Sequence, residues 1–138
     1  MALLDTTVFV DLGGRGGSKK KAEAQQILRQ LLASGESLCT SRVNIAELYV
    51  GLEISDDPDH EQEAIDDYLT WTVVLELDDA SARYFGRIRA DLQKRGRLVG
   101  DLDILIAAIA LAHNHPVITR NPAHFSSMPG VRVVSYGI

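Results

Sequence analysis

One segment near the carboxyl end limits the fold most strongly, because a helix built from residues 101 to 114 is apolar around almost its whole circumference. Such a helix has to be covered on all sides, which predicts a central helix buried against a sheet and its neighbours. Its longest strongly apolar run, Ile104 to Ala112, has nine residues, about half of the length that a membrane span requires. Asp103 shares a narrow side of this helix with Ala107 and Ala110. These small residues leave room for another element or a ligand beside a carboxylate.

The rest of the chain alternates predicted strands with predicted helices. We predict strands at 2–4, 37–40, 72–77, 117–119 and 131–136, and helices near 8–12 and at 18–33, 41–54, 59–70 and 79–95. This alternation is typical of an α/β fold in which helices cover both faces of a parallel sheet. The 138 residues suit one domain, 1–138, and the single Cys39 excludes an intrachain disulfide framework. The N-terminus lacks the pattern of a secretory signal, so we expect a cytoplasmic protein.

Three acids stand in apolar settings. Asp5 follows the first strand, and ligands of parallel α/β folds bind at the carboxyl ends of strands. On helix 41–54, Glu47 lies opposite a predicted core face of Ile45, Leu48, Tyr49 and Leu52, and beside a second apolar strip of Val43, Ala46 and Val50. Asp103 runs into the apolar interior. Simpler explanations remain open, since Asp5 is also a good N-cap and Glu47 an ordinary exposed glutamate.

Carboxylates gathered at one sheet edge repel each other, and a bound cation or proton uptake relieves the repulsion. Hard oxygen ligands without a cysteine set or a close histidine pair favour Mg²⁺, or Mn²⁺, over Zn²⁺. Such a site suits hydrolysis of a phosphodiester. Asp101 is explained structurally, as the expected N-cap of the central helix.

The charge of the chain is segregated along the sequence. The net charge of -5 argues against indiscriminate binding of nucleic acid. Residues 53–67 are acidic without any Lys or Arg, whereas 15–29 and 83–97 are rich in basic residues. These basic segments indicate either two basic surfaces or ordinary solvated helix faces.

Three blocks of the sequence resemble the PIN-domain ribonucleases, specifically the VapC-type toxins of prokaryotic toxin-antitoxin pairs. The blocks are LLDTTVFVD at 3–11, SRVNIAELYVGL at 41–52 and VGDLDILIAAIALAHNHPVITRNPAHF at 99–125. The resemblance implies a three-layer α/β/α domain with a central parallel sheet. It also implies a magnesium-dependent endoribonuclease that forms homodimers and is inhibited by a cognate antitoxin.

The resemblance also assigns roles to individual residues. The family's three catalytic and metal-binding acids fall on Asp5, Glu47 and Asp103, and its hydroxyl on Thr6. A fourth polar position, often Asp in the family, is Asn121 here, so Asp101 is a candidate outer-shell acid. We place RNA across the basic faces, including Arg83, Arg87 and Arg89.

The apolar strip of Val43, Ala46 and Val50 predicts a groove for a helix of a partner. The resemblance implies that this partner is the antitoxin, with a basic residue directed at Glu47. Packing against helix 59–70 and a homodimer seam are the alternatives. Two other functions fit parts of the sequence. A noncatalytic PIN-fold interaction module would keep the fold without the chemistry. A haloacid-dehalogenase-type phosphatase matches Asp5 loosely but lacks its late lysine, because no Lys follows Lys94.

Overall fold

In the part of the chain that the structure describes, five short strands form one parallel sheet. They are β1 (Ala2–Leu4), β2 (Leu38–Ser41), β3 (Val73–Leu75), β4 (Val117–Thr119) and β5 (Val133–Ser135), in the order β3-β2-β1-β4-β5. The computed structural model describes residues 1–97 and 99–137. Every neighbouring pair of strands is parallel, so the predicted α/β architecture with a central parallel sheet is confirmed.

Six helices among the described residues connect and cover the strands. They are α1 (Thr6–Leu12), α2 (Ser18–Ala33), α3 (Arg42–Glu53), α4 (Pro58–Trp71), α5 (Asp79–Lys94) and α6 (Asp101–Ala112), and a 3-10 turn at Pro122–His124 follows β4. Local sequence explains several helix starts. Ser41 and Asn44 form a capping box at α3, and Pro58 follows the cap Asp57 at α4.

The core has one layer on each face of the sheet, and β1 contributes to both. Leu3 packs in the layer of α5 and α6, whereas Ala2 and Leu4 pack in the layer of α1, α2 and α4. All three residues are fully buried. Successive residues of a strand point to opposite faces, so a three-residue apolar strand serves both layers only when it lies inside the sheet.

Helix α6 is the central helix that its composition predicts. Ile104 and the run Ile106 to Ala110 are buried, mainly against α5 and the sheet. The helix ends at Ala112, two residues earlier than predicted, and Asn114 takes a positive φ of 56° just beyond the end. The expected cap was wrong: Gly100 is the N-cap and Asp101 is the first helical residue. Among the described residues, no helix is long and apolar enough to cross a membrane.

Candidate active site

The predicted acids meet at the carboxyl-terminal edge of the sheet. Asp5 follows β1, Glu47 lies on the helix that follows β2, and Asp103 lies on α6. All three line one open pocket, together with Thr6 and Asn121. The strand order explains the positions of Asp5 and Glu47, because β1 and β2 are neighbours and the chain leaves both at the same edge. Asp103 lies in the first turn of α6, the helix that precedes β4, so the amino end of α6 lies at that edge as well.

Asp5 is held as a buried acceptor. It occupies the N-cap position of α1 but makes no side-chain capping hydrogen bond, so capping does not explain it. Its carboxylate is 5% exposed and accepts from Thr119 Oγ1 at 2.8 Å, from Asn44 Nδ2 at 3.3 Å and from Thr7 Oγ1 at 3.4 Å. Burial raises the pKa of Asp5, and the Thr119 and Thr7 hydroxyls oppose that rise.

Glu47 is tied to the same group through Thr6. The Thr6 hydroxyl donates to Glu47 Oε1 at 2.6 Å and accepts from Asn44 Nδ2 at 2.9 Å. Burial raises the pKa of Glu47, and the charges of Asp5 and Asp103 raise it further. Glu47 is therefore a half-buried carboxylate that belongs to a network.

Asn44 is the residue that sequence reasoning missed. It is fully buried, and its Oδ1 accepts from Ser41 Oγ at 2.6 Å and from the Ser41 amide at 3.2 Å. Its Nδ2 donates to both Thr6 and Asp5, so both ends of the amide are used. The available signal was the Ser-x-x-Asn spacing at the start of α3, with Asn44 one helical turn before Glu47.

The predicted core face of α3 was partly wrong. Ile45 is buried, but Tyr49 is 40% exposed, and Asn44, which is not part of the predicted core face, is buried. The helix is rotated so that Asn44 and Glu47 meet Asp5 at the sheet edge, which turns Tyr49 toward solvent. The second strip also divides. Val43 packs against the α5–α6 layer, whereas Ala46 is exposed and Val50 is 62% exposed.

Asp103 faces the pocket and pairs with a histidine. His124 Nδ1 lies 3.1 Å from Asp103 Oδ2, and both residues line the pocket. Burial raises the pKa of Asp103, the charge of Asp5 adds to the rise, and His124 opposes it. Sequence reasoning set His124 aside because it looked for paired metal-binding histidines, although the residue stands inside the third motif block.

The two supporting residues have different positions. Asn121 lines the pocket, and its backbone amide donates to Thr119 Oγ1 at 3.0 Å. Asp101 does not join the group, because its Oδ1 accepts from Arg89 Nε at 3.1 Å on the exposed side of α6.

The electrostatics of the pocket favour a hard cation. Burial is the main cause that raises the pKa values of Asp5, Glu47 and Asp103. The charge of Asp5 raises the pKa of Asp103 further, and the charges of Asp5 and Asp103 raise that of Glu47 further. Within residues 1–97 and 99–137, no three His, Cys, Asp or Glu side chains stand close enough to form a complete metal site. The donor chemistry fits Mg²⁺ or Mn²⁺, and the acids would have to close around the ion.

The predicted basic face lies on the exposed side of α5. Arg83 pairs with Asp79 at 2.9 Å, Arg89 pairs with Asp101, and the Arg87 guanidinium stacks 5.4 Å from the Tyr84 ring centre. Exposed ion pairs of this kind contribute little to stability.

Comparison with known proteins agrees with this geometry. The PIN domain family matches residues 2–131. The tRNA(fMet)-specific endonuclease VapC of Shigella flexneri is 35% identical over 95 residues, which are 69% of this chain and 72% of that protein. Ribonuclease VapC2 of Haemophilus influenzae is 31% identical over 116 residues, 84% of this chain and 88% of its own. The crystal structure of DNA-bound VapBC from Salmonella typhimurium aligns with a TM-score of 0.82 at 28% identity and covers 98% of each chain.

Proposed function

Because this chain belongs to the PIN-domain family and, within it, to the VapC ribonucleases, we propose that it hydrolyses RNA with a divalent cation, Mg²⁺ or Mn²⁺, at the Asp5, Glu47 and Asp103 pocket. The observation that supports the proposal most strongly is the convergence of three acids, each with a raised pKa, on one open pocket. Clustered acids whose charge is offset by a single histidine, His124, favour the binding of a cation.

The residues of the chain hold and orient the reacting groups. When bound, the cation supplies charge neutralisation and an activated water. Three donors fix the Asp5 carboxylate, and the Thr6 hydroxyl fixes one oxygen of Glu47. Lys20 also lines the pocket and offers a positive charge to a phosphate. The hydrogen-bond network would position the acids, and the acids would bind the cation.

Charge-neutral variants test the assignment. We expect Asp5→Asn, Glu47→Gln and Asp103→Asn to fold and each to lose about 100-fold or more in RNA cleavage, because a catalytic metal supplies several kcal/mol to the transition state. Asp101→Asn is the comparison variant, since Asp101 lies on the same helix turn as Asp103 but contacts Arg89. An equal loss in the Asp101 variant would return that residue to the site. Wild-type protein that cleaves no RNA with either metal would favour a noncatalytic interaction module.

We place the RNA backbone partly on the basic face of α5. Arg83, Arg87 and Lys94 line a shallow surface pocket there, with Asp91 beside them. Phosphate contacts release counterions, so affinity should fall steadily with salt. This surface gives a chain of net charge -5 a local site for a polyanion.

A cognate antitoxin is the proposed regulator of a cytoplasmic homodimer. The Salmonella typhimurium relative was solved as a VapBC complex on DNA, and the Rickettsia felis structure of VapBC2 likewise. On this chain, Ala46, Val50 and Ile54 follow one another along the exposed side of α3, close to Glu47. An amphipathic segment of the antitoxin would cover this strip and direct a basic residue at the acids.

A further inference from the structure

A second charged group lines the same pocket as the three acids and is not used by the proposed chemistry. Asp11 on α1 pairs with Arg120 after β4, with Nε and Oδ2 2.6 Å apart and exposures of 6% and 14%. The Tyr136 hydroxyl donates to the same Asp11 oxygen at 2.7 Å, and the Arg120 guanidinium lies 4.8 Å from the Tyr136 ring centre. Three segments far apart in sequence are thereby fastened together.

The backbone is shaped to receive this arginine. Gly137 has a φ of +70°, and its carbonyl accepts from Arg120 Nη1 at 3.2 Å. A Cβ at Gly137 would overlap the guanidinium, so the arginine fits only against bare backbone. Arg120 Nη2 is buried and reaches only Glu23, at 3.6 Å. The Nε and Nη1 donors of this guanidinium are therefore already used by Asp11 and by the Gly137 carbonyl, at the edge of the acidic pocket.

The arginine lies between two residues that contact the site. On one side, Thr119 Oγ1 donates to Asp5; on the other, the Asn121 amide donates to Thr119 Oγ1 at 3.0 Å. The Arg120 amide itself donates to Thr7 Oγ1 at 3.2 Å, and Thr7 Oγ1 donates to Asp5. The turn 119–121 therefore reaches the Asp5 carboxylate through two hydroxyls, those of Thr119 and Thr7.

We propose that Asp11, Arg120, Tyr136 and Gly137 form a clamp that positions the 119–121 turn, and through it the Asp5 carboxylate. These residues are positioning residues, because they touch Asp5 only through Thr7 and Thr119. The inference rests on the proposed function for its catalytic consequence. A buried ion pair contributes little net stability compared with apolar residues of similar size, and it defines one geometry. Precision of the site is what the clamp supplies.

The test removes the charges without leaving either one unpaired. We expect the double variant Asp11→Leu with Arg120→Met to remain folded, since replacing a buried ion pair by apolar residues is often neutral. We expect kcat for RNA cleavage to fall about 100-fold, as for a 1 Å displacement of a reacting group, while KM changes far less. Tyr136→Phe removes one hydrogen bond, keeps the ring under Arg120, and should lose about tenfold or less in kcat.

A second readout works on the metal-free protein and needs no activity. We expect hydrogen exchange of the backbone amides at positions 120 and 121 to become about tenfold faster or more in the double variant, because both donate to threonine hydroxyls that the clamp holds in place. Arg132→Met is the matched control. Arg132 donates to the Asn114 carbonyl at 2.8 Å, near the amino ends of β4 and β5, whereas the clamp lies at their carboxyl ends. It should leave both amides and kcat unchanged.

The outcomes separate the two proposals. Faster exchange at both amides with a kcat loss supports the clamp. Unchanged exchange in a folded double variant overturns it, whatever the activity. If wild-type protein fails to cleave RNA, the proposed function fails, and the exchange measurement still decides whether the clamp fixes the turn. Equal effects of the Arg132 control at the 119–121 turn would also overturn it, because they would indicate a general loosening of the sheet.

Discussion

Replacing Asn44 with aspartate keeps the shape of the side chain and reverses the electrostatics of the face that it presents to Asp5. In Asn44→Asp, the carboxylate oxygen at the place of Oδ1 still accepts from the Ser41 amide and hydroxyl, so the start of α3 is retained. The Nδ2 group, which donates to Asp5 at 3.3 Å and to Thr6 at 2.9 Å, becomes the second carboxylate oxygen. The variant therefore tests the donor half of the amide alone.

The loss of unfolding free energy in Asn44→Asp can be estimated in two ways. Two charges at about 4 Å repel by about 4 kcal/mol at an effective dielectric constant of about 20. Alternatively, one carboxylate takes up a proton, which at pH 7 costs about 4 kcal/mol for a group whose ordinary pKa is about 3.9. Both routes limit the loss of unfolding free energy to about 4 kcal/mol, and partial solvation in the open pocket lowers it. We expect about 3 kcal/mol, or a Tm lower by about 10 °C.

The assay is thermal unfolding in EDTA and in Mg²⁺, at about pH 5.5 and about pH 8. In EDTA the loss should be larger at the higher pH, because the raised pKa of the new acid pair makes its stability contribution present at low pH and lost as pH rises. Mg²⁺ should stabilise the variant more than wild type, since a fourth acid joins the pocket. Asn44→Ala, which loses hydrogen bonds on both sides without added charge, should cost about 2–3 kcal/mol at either pH.

If Asn44→Asp has the same melting temperature as wild type in EDTA at about pH 8, this reasoning is refuted. The result would mean that the Asn44 amide does not donate to Asp5 in solution. An equal Mg²⁺ shift in wild type and variant would contradict the fourth-acid argument separately.

Three further outcomes are expected. In EDTA, the raised pKa of Asp5 gives stability that is present below about pH 4 and is lost as pH rises through the folded pKa. The difference in melting temperature between wild type and Asp5→Asn should therefore widen with pH, and it should shrink in Mg²⁺. Arg83→Ala with Arg87→Ala should weaken RNA binding and lower its salt dependence by about one to two counterions, measured by fluorescence anisotropy across a salt series. Unchanged affinity would place the RNA elsewhere. In inhibition titrations, Val50→Asp should weaken inhibition by the antitoxin without reducing RNA cleavage. Leu32→Asp, at a similarly exposed position on α2, should change neither inhibition nor cleavage. Full inhibition of an active Val50→Asp protein would remove the antitoxin from this strip.

Local patterns in the sequence predicted the elements and their class. The all-apolar segment at 104–112 required a central helix, and the alternation of strands and helices required a parallel sheet, because both follow from which side chains avoid water. The strand at 117–119 matches β4 residue for residue, whereas the predicted strand 72–77 is shortened to Val73–Leu75. Strand ends depend on finding a partner, which is not a local property.

The convergence of the acids was also within reach of the sequence, since carboxyl ends of parallel strands share one edge. The rotation of α3 was not. Its apolar residues surround enough of the helix that Ile45 with Tyr49 and Ile45 with Asn44 are both acceptable inner faces, and only the hydrogen bonds from Asn44 to Asp5 and Thr6 choose between them. Periodicity measures hydrophobicity and cannot register a polar contact 39 residues away.

The clamp shows the same division more sharply. Asp11, Arg120 and Tyr136 are inconspicuous in the sequence, because nothing in composition or spacing relates residues separated by 109 and 125 positions. The pairing of β4 with β5 beside α1 brings both donors to one carboxylate oxygen. The sequence by itself determined which segments form helices and strands and which sheet edge receives the acids. Only tertiary structure decided which polar side chains meet there, because each of those contacts joins residues that local free energies do not couple.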